Sequence, residues 1–261
     1  MRIVIKIGTS TLAYATGHPN IRHIENFCKV VSDLKNAGYE VIIVSSGAVS
    51  MGRGKAGVDE RPAELSMKQA LAAIGQCELM YTYDKYFGEY NHTVAQLLLT
   101  ASNFTEPKQY ENLISTMHKL LEMKVIPIIN ENDTVATQEL KIGDNDTLGA
   151  RVAVSVKADL LILLTDIDGL YTADPNKDPN AKRIPVVSSV TPEIEALAGD
   201  SGSKVGTGGM ITKIEAAKIA TNAGTDMVIA NGKDPAVLYE ILEGKDVGTR
   251  FVGLRPAAPS R

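Results

Sequence analysis

The feature that most restricts the fold of this chain is the alternation of short apolar runs with longer helical patterns. Runs rich in Val, Ile and Leu occupy residues 3–7, 41–45, 93–99, 125–129, 160–164, 227–230 and 249–252. Helical spacing is found between them, at about residues 21–37, 63–88, 107–123, 146–157, 192–197, 210–223 and 235–242. This alternation favours a parallel sheet with helices on both faces. We therefore predict an α/β fold, a three-layer αβα sandwich around a mainly parallel open sheet.

Composition limits the possible partners. The 261 residues are 44% hydrophobic and 22% charged, which is typical of globular proteins. The formal net charge of −4 is opposite in sign to what the phosphate backbone of a nucleic acid attracts, so we expect no nucleic-acid partner. No apolar stretch approaches the ~18 residues of a membrane span, and the N-terminus lacks a signal-peptide core. We expect a cytoplasmic protein without membrane contact.

Cysteine and histidine usage argues against a zinc enzyme or a disulfide framework. Cys28 and Cys77 lie far apart, each within a helical pattern, and we expect two buried thiols. The four histidines share no metal-ligand spacing, so we predict no residue that binds a metal directly. The sequence also contains no G-x-S-x-G segment, which removes support for a hydrolase.

Polar clusters follow five of the predicted strands. Strand 3–7 carries Lys6 and ends in Gly8-Thr9-Ser10, and the other clusters are Ser45-Ser46-Gly47, Asn130-Glu131-Asn132-Asp133, Thr165-Asp166 and Asn231-Gly232. In an open α/β sheet, ligands bind outside the carboxyl ends of the strands. Polar loops are common in α/β proteins, but five clusters at one edge favour a single binding site there.

Two lysines and a glycine run predict an anion site. Residues 206–209 are Gly-Thr-Gly-Gly and precede a helix that carries Lys213, which suits phosphate binding by backbone N–H groups. No GK[ST] segment is present, so this is not a Walker A motif. Lys6 within an apolar strand needs a counter-charge or a ligand anion. The alternative for the glycine run is a flexible linker. The alternative for Lys6 is a position on an edge strand, with its amine in solvent.

The segment Gly143-Asp144-Asn145-Asp146 precedes another helix. Asp144 or Asn145 suits an N-cap, but two carboxylates are more than a cap requires, and near two lysines they could order the amines. Thr165-Asp166 suits a nucleotide contact and equally a plain turn.

One segment imitates a dinucleotide-binding motif. Residues 52–57, GRGKAG, match G-x-G-x-x-G, but they begin seven residues after a strand and run into a predicted loop at 58–62 instead of opening a helix. A nicotinamide oxidoreductase is therefore disfavoured.

Six segments taken together resemble the amino acid kinase family, and within it the branch that phosphorylates glutamate. They are KIGTS (6–10), VSSGAV (44–49), INENDTVAT (129–137), KIGDNDTLGA (141–150), LLTDIDGLYTADP (163–175) and GTGGMITK (206–213). The resemblance covers essentially the whole chain. Other branches differ, because aspartokinases open with a KFGG-type strand and uridylate kinases lack the paired NEND and GDND runs.

The resemblance implies an activity and a set of site residues. The activity is ATP-dependent phosphorylation of the L-glutamate γ-carboxylate to L-glutamyl 5-phosphate, the first step of proline biosynthesis. The implied catalytic residues are Lys6 and Lys213, which hold the transferring phosphoryl group, and Asp146, which positions both amines. The implied glutamate site comprises Ser46, Asp133 and Asn145, with Asn130, Asp144 and Lys141 close by. The implied ATP site comprises Lys6, Thr165, Asp166, Thr207, Gly208, Gly209, Met210, Ile211, Thr212 and Lys213, with Mg²⁺ bridging the β- and γ-phosphates of ATP.

The resemblance also implies an organisation and partners. We expect an amino acid kinase domain over residues 1–253, with a glutamate-binding lobe at about 1–160 and an ATP-binding lobe at about 161–253, then a frayed tail at 254–261. We expect no C-terminal PUA domain, which many glutamate-phosphorylating members carry. Further expectations are proline as a feedback inhibitor, a homodimer or homotetramer, and transient contact with a glutamate-5-semialdehyde dehydrogenase. The open alternatives are another kinase of this fold and a non-catalytic ligand sensor.

Overall fold

A computed structural model of the chain describes residues 1–60, 62–136, 142–175, 177–199 and 209–255. Three site candidates, Lys141, Thr207 and Gly208, lie outside the described residues. The hairpin expected near 137–142 also lies outside them, except for its last residue.

The described residues form one eight-stranded sheet. The strands are β1 Arg2–Ile7, β2 Glu40–Ser45, β3 Val94–Leu99, β4 Ile126–Glu131, β5 Leu160–Thr165, β6 Val186–Val187, β7 Asp226–Asn231 and β8 Thr249–Phe251. Their order in the sheet is β3-β4-β2-β1-β5-β7-β8-β6. All neighbours are parallel except β7 and β8, which confirms the mainly parallel sheet. Strand β6 lies between the predicted strand at 160–164 and the predicted helix at 192–197, where the sequence analysis predicts no strand.

Ten helices are assigned within the described residues. They are α1 Thr9–Leu12, α2 Ile21–Asn36, α3 Ala48–Ala56, α4 Leu65–Gly88, α5 Ser102–Thr105, α6 Pro107–Glu122, α7 Asn145–Ser155, α8 Pro192–Gly199, α9 Met210–Asn222 and α10 Val237–Leu242. Among the described residues, no helix combines the length and the apolar character needed to cross a bilayer. Helices α1, α3 and α5 are additional to the predicted set.

Apolar side chains cover both faces of the sheet. Ile3 and Ile5 of β1 point to one face, where they belong to a core shared with α2, α4 and α10. Val4 belongs to a second core on the opposite face, which α6, α7 and α9 cover. Successive residues of a strand point to opposite faces, so one apolar strand supplies both cores. The predicted three-layer αβα sandwich is confirmed.

Helix α3 lies where the sequence analysis predicts no helix, and it includes residues 52–56 of the segment that imitates a dinucleotide-binding motif. A Cβ atom on Gly52 of α3 would lie 1.8 Å from the carbonyl oxygen of Leu71 in α4. A Cβ atom on Gly75 of α4 would lie 1.7 Å from the carbonyl oxygen of Ala48 in α3. The two helices approach so closely that only glycine fits at both positions. Gly52 therefore serves helix packing.

The expectation of two buried thiols is wrong for one of them. Cys28 in α2 is buried, and burial raises its pKa, whereas Cys77 in α4 is exposed. The buried stripe of α4 runs through Gln76, Leu79 and Tyr83. Cys77 follows Gln76 directly, and one residue turns a helix by about 100°, so its side chain leaves that stripe.

The chain stays hydrogen-bonded beyond β8. Gly253 donates its N–H to Asp226 Oδ1 at 2.9 Å, and Leu254 donates its N–H to the Thr221 carbonyl at 2.8 Å. The start of the segment expected to fray is thus held against β7 and α9. Residues 256–261 lie outside the described part of the chain.

Candidate active site

The predicted polar clusters meet at one edge of the sheet. Strands β4, β2, β1, β5 and β7 are successive parallel neighbours, so their carboxyl ends point the same way. The amino ends of α7 and α9 bring Asp146 and Lys213 to the Lys6 position on β1.

One buried carboxylate holds both candidate lysines. Asp146 Oδ1 lies 2.6 Å from Lys6 Nζ, and Asp146 Oδ2 lies 3.1 Å from Lys213 Nζ. Thr212 Oγ1 donates a further hydrogen bond to Asp146 Oδ2 at 2.8 Å. Lys6, Asp146 and Lys213 are 8%, 1% and 4% exposed. We call these three residues the ion triad, and it carries one net positive charge.

Opposing effects set the pKa of Asp146. Burial alone would raise the pKa of this carboxyl. The positive charges of Lys6 and Lys213, with hydrogen bonds from Lys6 and Thr212, outweigh burial and hold the pKa below its ordinary value of 3.8. Asp146 is therefore ionised at neutral pH.

Lys6 does not lie on an edge strand. Strand β1 lies between β2 and β5, in the interior of the sheet. A Cβ atom on Gly149 of α7 would lie 3.5 Å from Lys6 Cβ, so α7 packs against the lysine stem. The buried amine then needs a counter-charge, which Asp146 supplies.

A network of side-chain amides lies beside the ion triad. Asn145 Nδ2 donates to Ser46 Oγ at 2.7 Å and to Asn130 Oδ1 at 3.0 Å, and lies 3.3 Å from the Ser45 carbonyl oxygen. Asn130 Nδ2 donates to Gln76 Oε1 at 3.0 Å. The ends of β2 and β4 and the start of α7 thus bring together three of the residues expected to bind glutamate. We call Gln76, Asn130, Asn145 and Ser46 the amide network.

The other residues of the expected glutamate site have different surroundings. Asp144 is the N-cap of α7, and its Oδ1 accepts a hydrogen bond from the Thr147 N–H at 2.8 Å. Asp133 is half-buried in the loop after β4. The cap formed by Asp144 lies directly before Asn145, the first residue of α7.

The nucleotide candidates lie at the ends of β5 and α9. Thr165 ends β5 and donates its hydroxyl to Asp166 Oδ1 at 3.1 Å, and Asp166 is exposed. Gly209 is the N-cap of α9 and provides no side-chain cap, while the first turn of the helix contains Met210, Ile211, Thr212 and Lys213. Uncapped N–H groups at a helix N-terminus suit an anion.

Comparison with known proteins decides the family. Residues 1–231 match the sequence profile of the amino acid kinase family. This chain belongs to that family. It is 52% identical over 254 residues to a glutamate 5-kinase of Listeria innocua, covering 96% of this chain and 92% of the relative. It is 49% identical over 255 residues to a glutamate 5-kinase of Clostridium perfringens, covering 96% and 95%.

A solved structure supports the fold at lower identity. The carbamate kinase from Giardia lamblia bound to AMP-PNP superposes with a TM-score of 0.69 and 17% identity, covering 97% of this chain and 98% of that one. The amino acid kinase fold therefore accounts for almost the whole of the chain.

Two features of this amino acid kinase site are absent from the sequence prediction. Thr212, expected only as an ATP contact, also donates to Asp146. Gln76 was not predicted to take part. Its signal is a long polar side chain on the mainly apolar buried stripe of α4, between Ala72 and Leu79. A buried glutamine at such a position requires hydrogen-bond partners.

Proposed function

We propose that this chain catalyses ATP-dependent phosphorylation of the L-glutamate γ-carboxylate to L-glutamyl 5-phosphate, the first step of proline biosynthesis. The observation that carries the proposal is the ion triad, two buried lysine amines on one buried carboxylate beside a polar amide network. The named activity of relatives at about 50% identity supports the choice of glutamate.

The reaction needs positive charge and alignment more than it needs a base. A γ-carboxylate with a pKa of about 4.3 is already ionised at neutral pH, so no proton has to be removed from it. In the transfer, a carboxylate oxygen forms a bond to the γ-phosphorus while the bond to the β,γ-bridging oxygen breaks, and ADP leaves with that electron pair. Lys6 and Lys213 neutralise the phosphoryl oxygens, and Asp146 holds both amines in place.

Glutamate would occupy the amide network and its surroundings. Ser46, Asn130 and Asn145 offer hydrogen bonds to the amino acid, and Asp133 supplies a carboxylate for its ammonium. Asp144 would act by capping α7, and so by fixing Asn145 and Asp146. Lys141, which lies outside the described residues, belongs to the same proposed site.

ATP would bind on the other side of the ion triad. Thr165 and Asp166 would contact the nucleotide, and residues 207–213 would surround its phosphates with the start of α9. This proposal divides the kinase domain, residues 1–253, into a glutamate-binding lobe at about 1–160 and an ATP-binding lobe at about 161–253.

Mg²⁺ belongs to the proposal as the ion that neutralises the β- and γ-phosphates. Among the described residues, no group of three or more His, Cys, Asp or Glu side chains could hold a metal ion. In this proposal the ion would reach the site together with ATP and would add to the positive charge that Lys6 and Lys213 supply.

Regulation and assembly complete the proposal. We include proline as a feedback inhibitor, a homodimer or homotetramer, and a cytoplasmic location. The product is an acyl phosphate, which water hydrolyses readily, so transient contact with a glutamate-5-semialdehyde dehydrogenase would protect it.

Hydroxamate formation tests the function directly. The protein is incubated with ATP, Mg²⁺ and hydroxylamine, and with glutamate, aspartate, N-acetylglutamate or no acid. Hydroxamate with glutamate alone is the expected result, because hydroxylamine captures an acyl phosphate. Product with a different acid would indicate another kinase of the family. No product from folded protein that binds ATP would indicate a ligand sensor.

A further inference from the structure

Gln76, in the middle of α4, is a buried amide whose position calls for an explanation. It is 9% exposed, and its Oε1 accepts a hydrogen bond from Asn130 Nδ2. Its Nε2 has no hydrogen-bond partner among the described residues. Burying a glutamine side chain among apolar residues costs free energy unless its polar atoms are hydrogen-bonded. The hydrogen bond to Asn130 and the unpartnered Nε2 therefore indicate a role beyond packing.

Two backbone groups fix the direction of the hydrogen bonds in the amide network. The Glu131 N–H can only donate, and it lies 2.9 Å from the Asn130 side chain, so that atom must be the oxygen Oδ1. The Ser45 carbonyl can only accept, so the atom of Asn145 that faces it must be Nδ2. Asn130 therefore directs its NH₂ group to Gln76, and the atom of Gln76 that accepts this hydrogen bond must be Oε1.

This direction decides what the network offers to a ligand. The two hydrogens of Asn145 Nδ2 are used by Ser46 Oγ, Asn130 Oδ1 and the Ser45 carbonyl, so only Oδ1 of Asn145 remains. No described residue donates to that oxygen. Ser46 Oγ accepts from Asn145, and its own hydrogen is not donated to any described residue. Asn145 and Ser46 together thus keep one acceptor and one donor for a ligand.

We propose that Gln76 is a positioning residue of the amino-acid site. By accepting from Asn130, it fixes the position of the Asn130 amide, which in turn accepts from Asn145. The Asn145 carbonyl oxygen is thereby placed for a substrate ammonium and the Ser46 hydroxyl for a substrate carboxylate. Gln76 acts through Asn130 and needs no contact with the substrate. The inference rests on the proposed function for the identity of the amino acid.

Three substitutions of Gln76 separate the effect of its hydrogen-bond acceptor from the effect of side-chain size. Gln76→Met keeps the length of the side chain and removes the acceptor, so Asn130 loses its partner. Gln76→Asn keeps an amide but withdraws it by one methylene, and this polar variant serves if Gln76→Met does not fold. Gln76→Glu keeps an oxygen where Oε1 lies. The matched control is Gln69→Met, two turns earlier on α4, where the half-buried Gln69 side chain makes no hydrogen bond to a described residue.

The readouts are the KM values for glutamate and ATP and the kcat, from hydroxamate formation. A buried hydrogen bond left with one partner predicts a rise in the glutamate KM of about tenfold or more in Gln76→Met and Gln76→Asn. The ATP KM and the kcat should stay within about threefold, because the ion triad is intact. Gln76→Glu should restore the glutamate KM to within about threefold of wild type, like the control.

Two results would overturn the inference. One is an unchanged glutamate KM in a folded Gln76→Met or Gln76→Asn variant. The other is an equal loss in a folded Gln69→Met variant, which would show that the effect is not specific to position 76. Wild-type protein in the same assay separates the two conclusions. If wild type fails to turn over glutamate, the proposed function falls and this inference with it, whereas normal wild-type turnover leaves only the role of Gln76 at issue.

Discussion

Replacing Asp146 by asparagine should strongly destabilise the protein. Asp146→Asn keeps the shape of the side chain but leaves Lys6 and Lys213, each more than nine-tenths buried, without a counter-charge. Removing one partner of a buried ion pair costs about 3–5 kcal/mol. At about 2–4 °C per kcal/mol for a chain of this size, the melting temperature should fall by about 6–20 °C.

The assay is thermal unfolding at pH 7, with a surface pair as the control. Asp246 pairs with Arg183 at 2.8 Å, but its side chain is 71% exposed, so Asp246→Asn should cost less than about 1 kcal/mol. Sulfate offers a second arm, because two unneutralised ammonium groups form an anion site. Sulfate should therefore raise the melting temperature of Asp146→Asn more than that of wild type.

The pH dependence has a definite sign. The pKa of Asp146 is lower in the folded chain than its ordinary value of 3.8, so folding favours the charged form. Its contribution to stability is full above pH 3.8 and is lost as the pH falls through the folded pKa. The difference between wild type and Asp146→Asn should thus shrink in acid. If Asp146→Asn and Asp246→Asn melted together at pH 7, the account of the ion triad would be refuted.

Three further changes test other parts of the molecule. Lys213→Ala should lower kcat far more than it raises the glutamate KM, because its charge acts mainly on the transferring phosphoryl group; a normal kcat with a raised ATP KM would make it a binding residue only. Asp133→Ala should raise the glutamate KM strongly, and an unchanged value would remove Asp133 from the site. Gly75→Ala should lower the melting temperature by several degrees or prevent folding, because its Cβ would lie 1.7 Å from the Ala48 carbonyl oxygen. Gly88→Ala in the same helix is the control, since its Cβ would meet no atom within 4 Å, and equal melting of the two variants would contradict the packing argument.

Much of the sheet could be predicted because its strands are short, apolar and regularly spaced. The strand that carries Lys6 and the strand from Leu160 show clear apolar runs, and the apolar run at 125–129 predicts β4. Helix α3 was missed because Gly52 and Gly54 lower helix propensity, and close packing against α4 is a tertiary contact that no local pattern contains. Strand β6 consists of two residues, too few for a periodic signal.

The candidate site, like the fold, could be predicted only in part from the sequence. Lys6 could be singled out because it is a charge within an apolar strand, and Lys213 because it follows a glycine run at the start of a helix. Asp146 could be singled out because a second carboxylate exceeds what a cap requires. The amide network could not be derived, because Gln76 and Asn130 lie 54 positions apart in the chain. The direction of its hydrogen bonds depends on the backbone at Ser45 and Glu131, which only the folded chain places.

The central place of β1 limits how kinases of this kind could be recombined. Strand β1 is hydrogen-bonded to β2 on one side and to β5 on the other, so the first strand of the chain joins its two halves. A hybrid of two relatives joined near residue 158 would take Lys6 and Asp146 from one parent and Lys213 from the other. Lys6 is paired in register with Leu163, and a slip of one residue would disturb that alignment along the whole strand. Whether a hybrid of two parent proteins folds and is active would therefore depend more on the pairing of β1 with β5 than on the loop where the two sequences are joined.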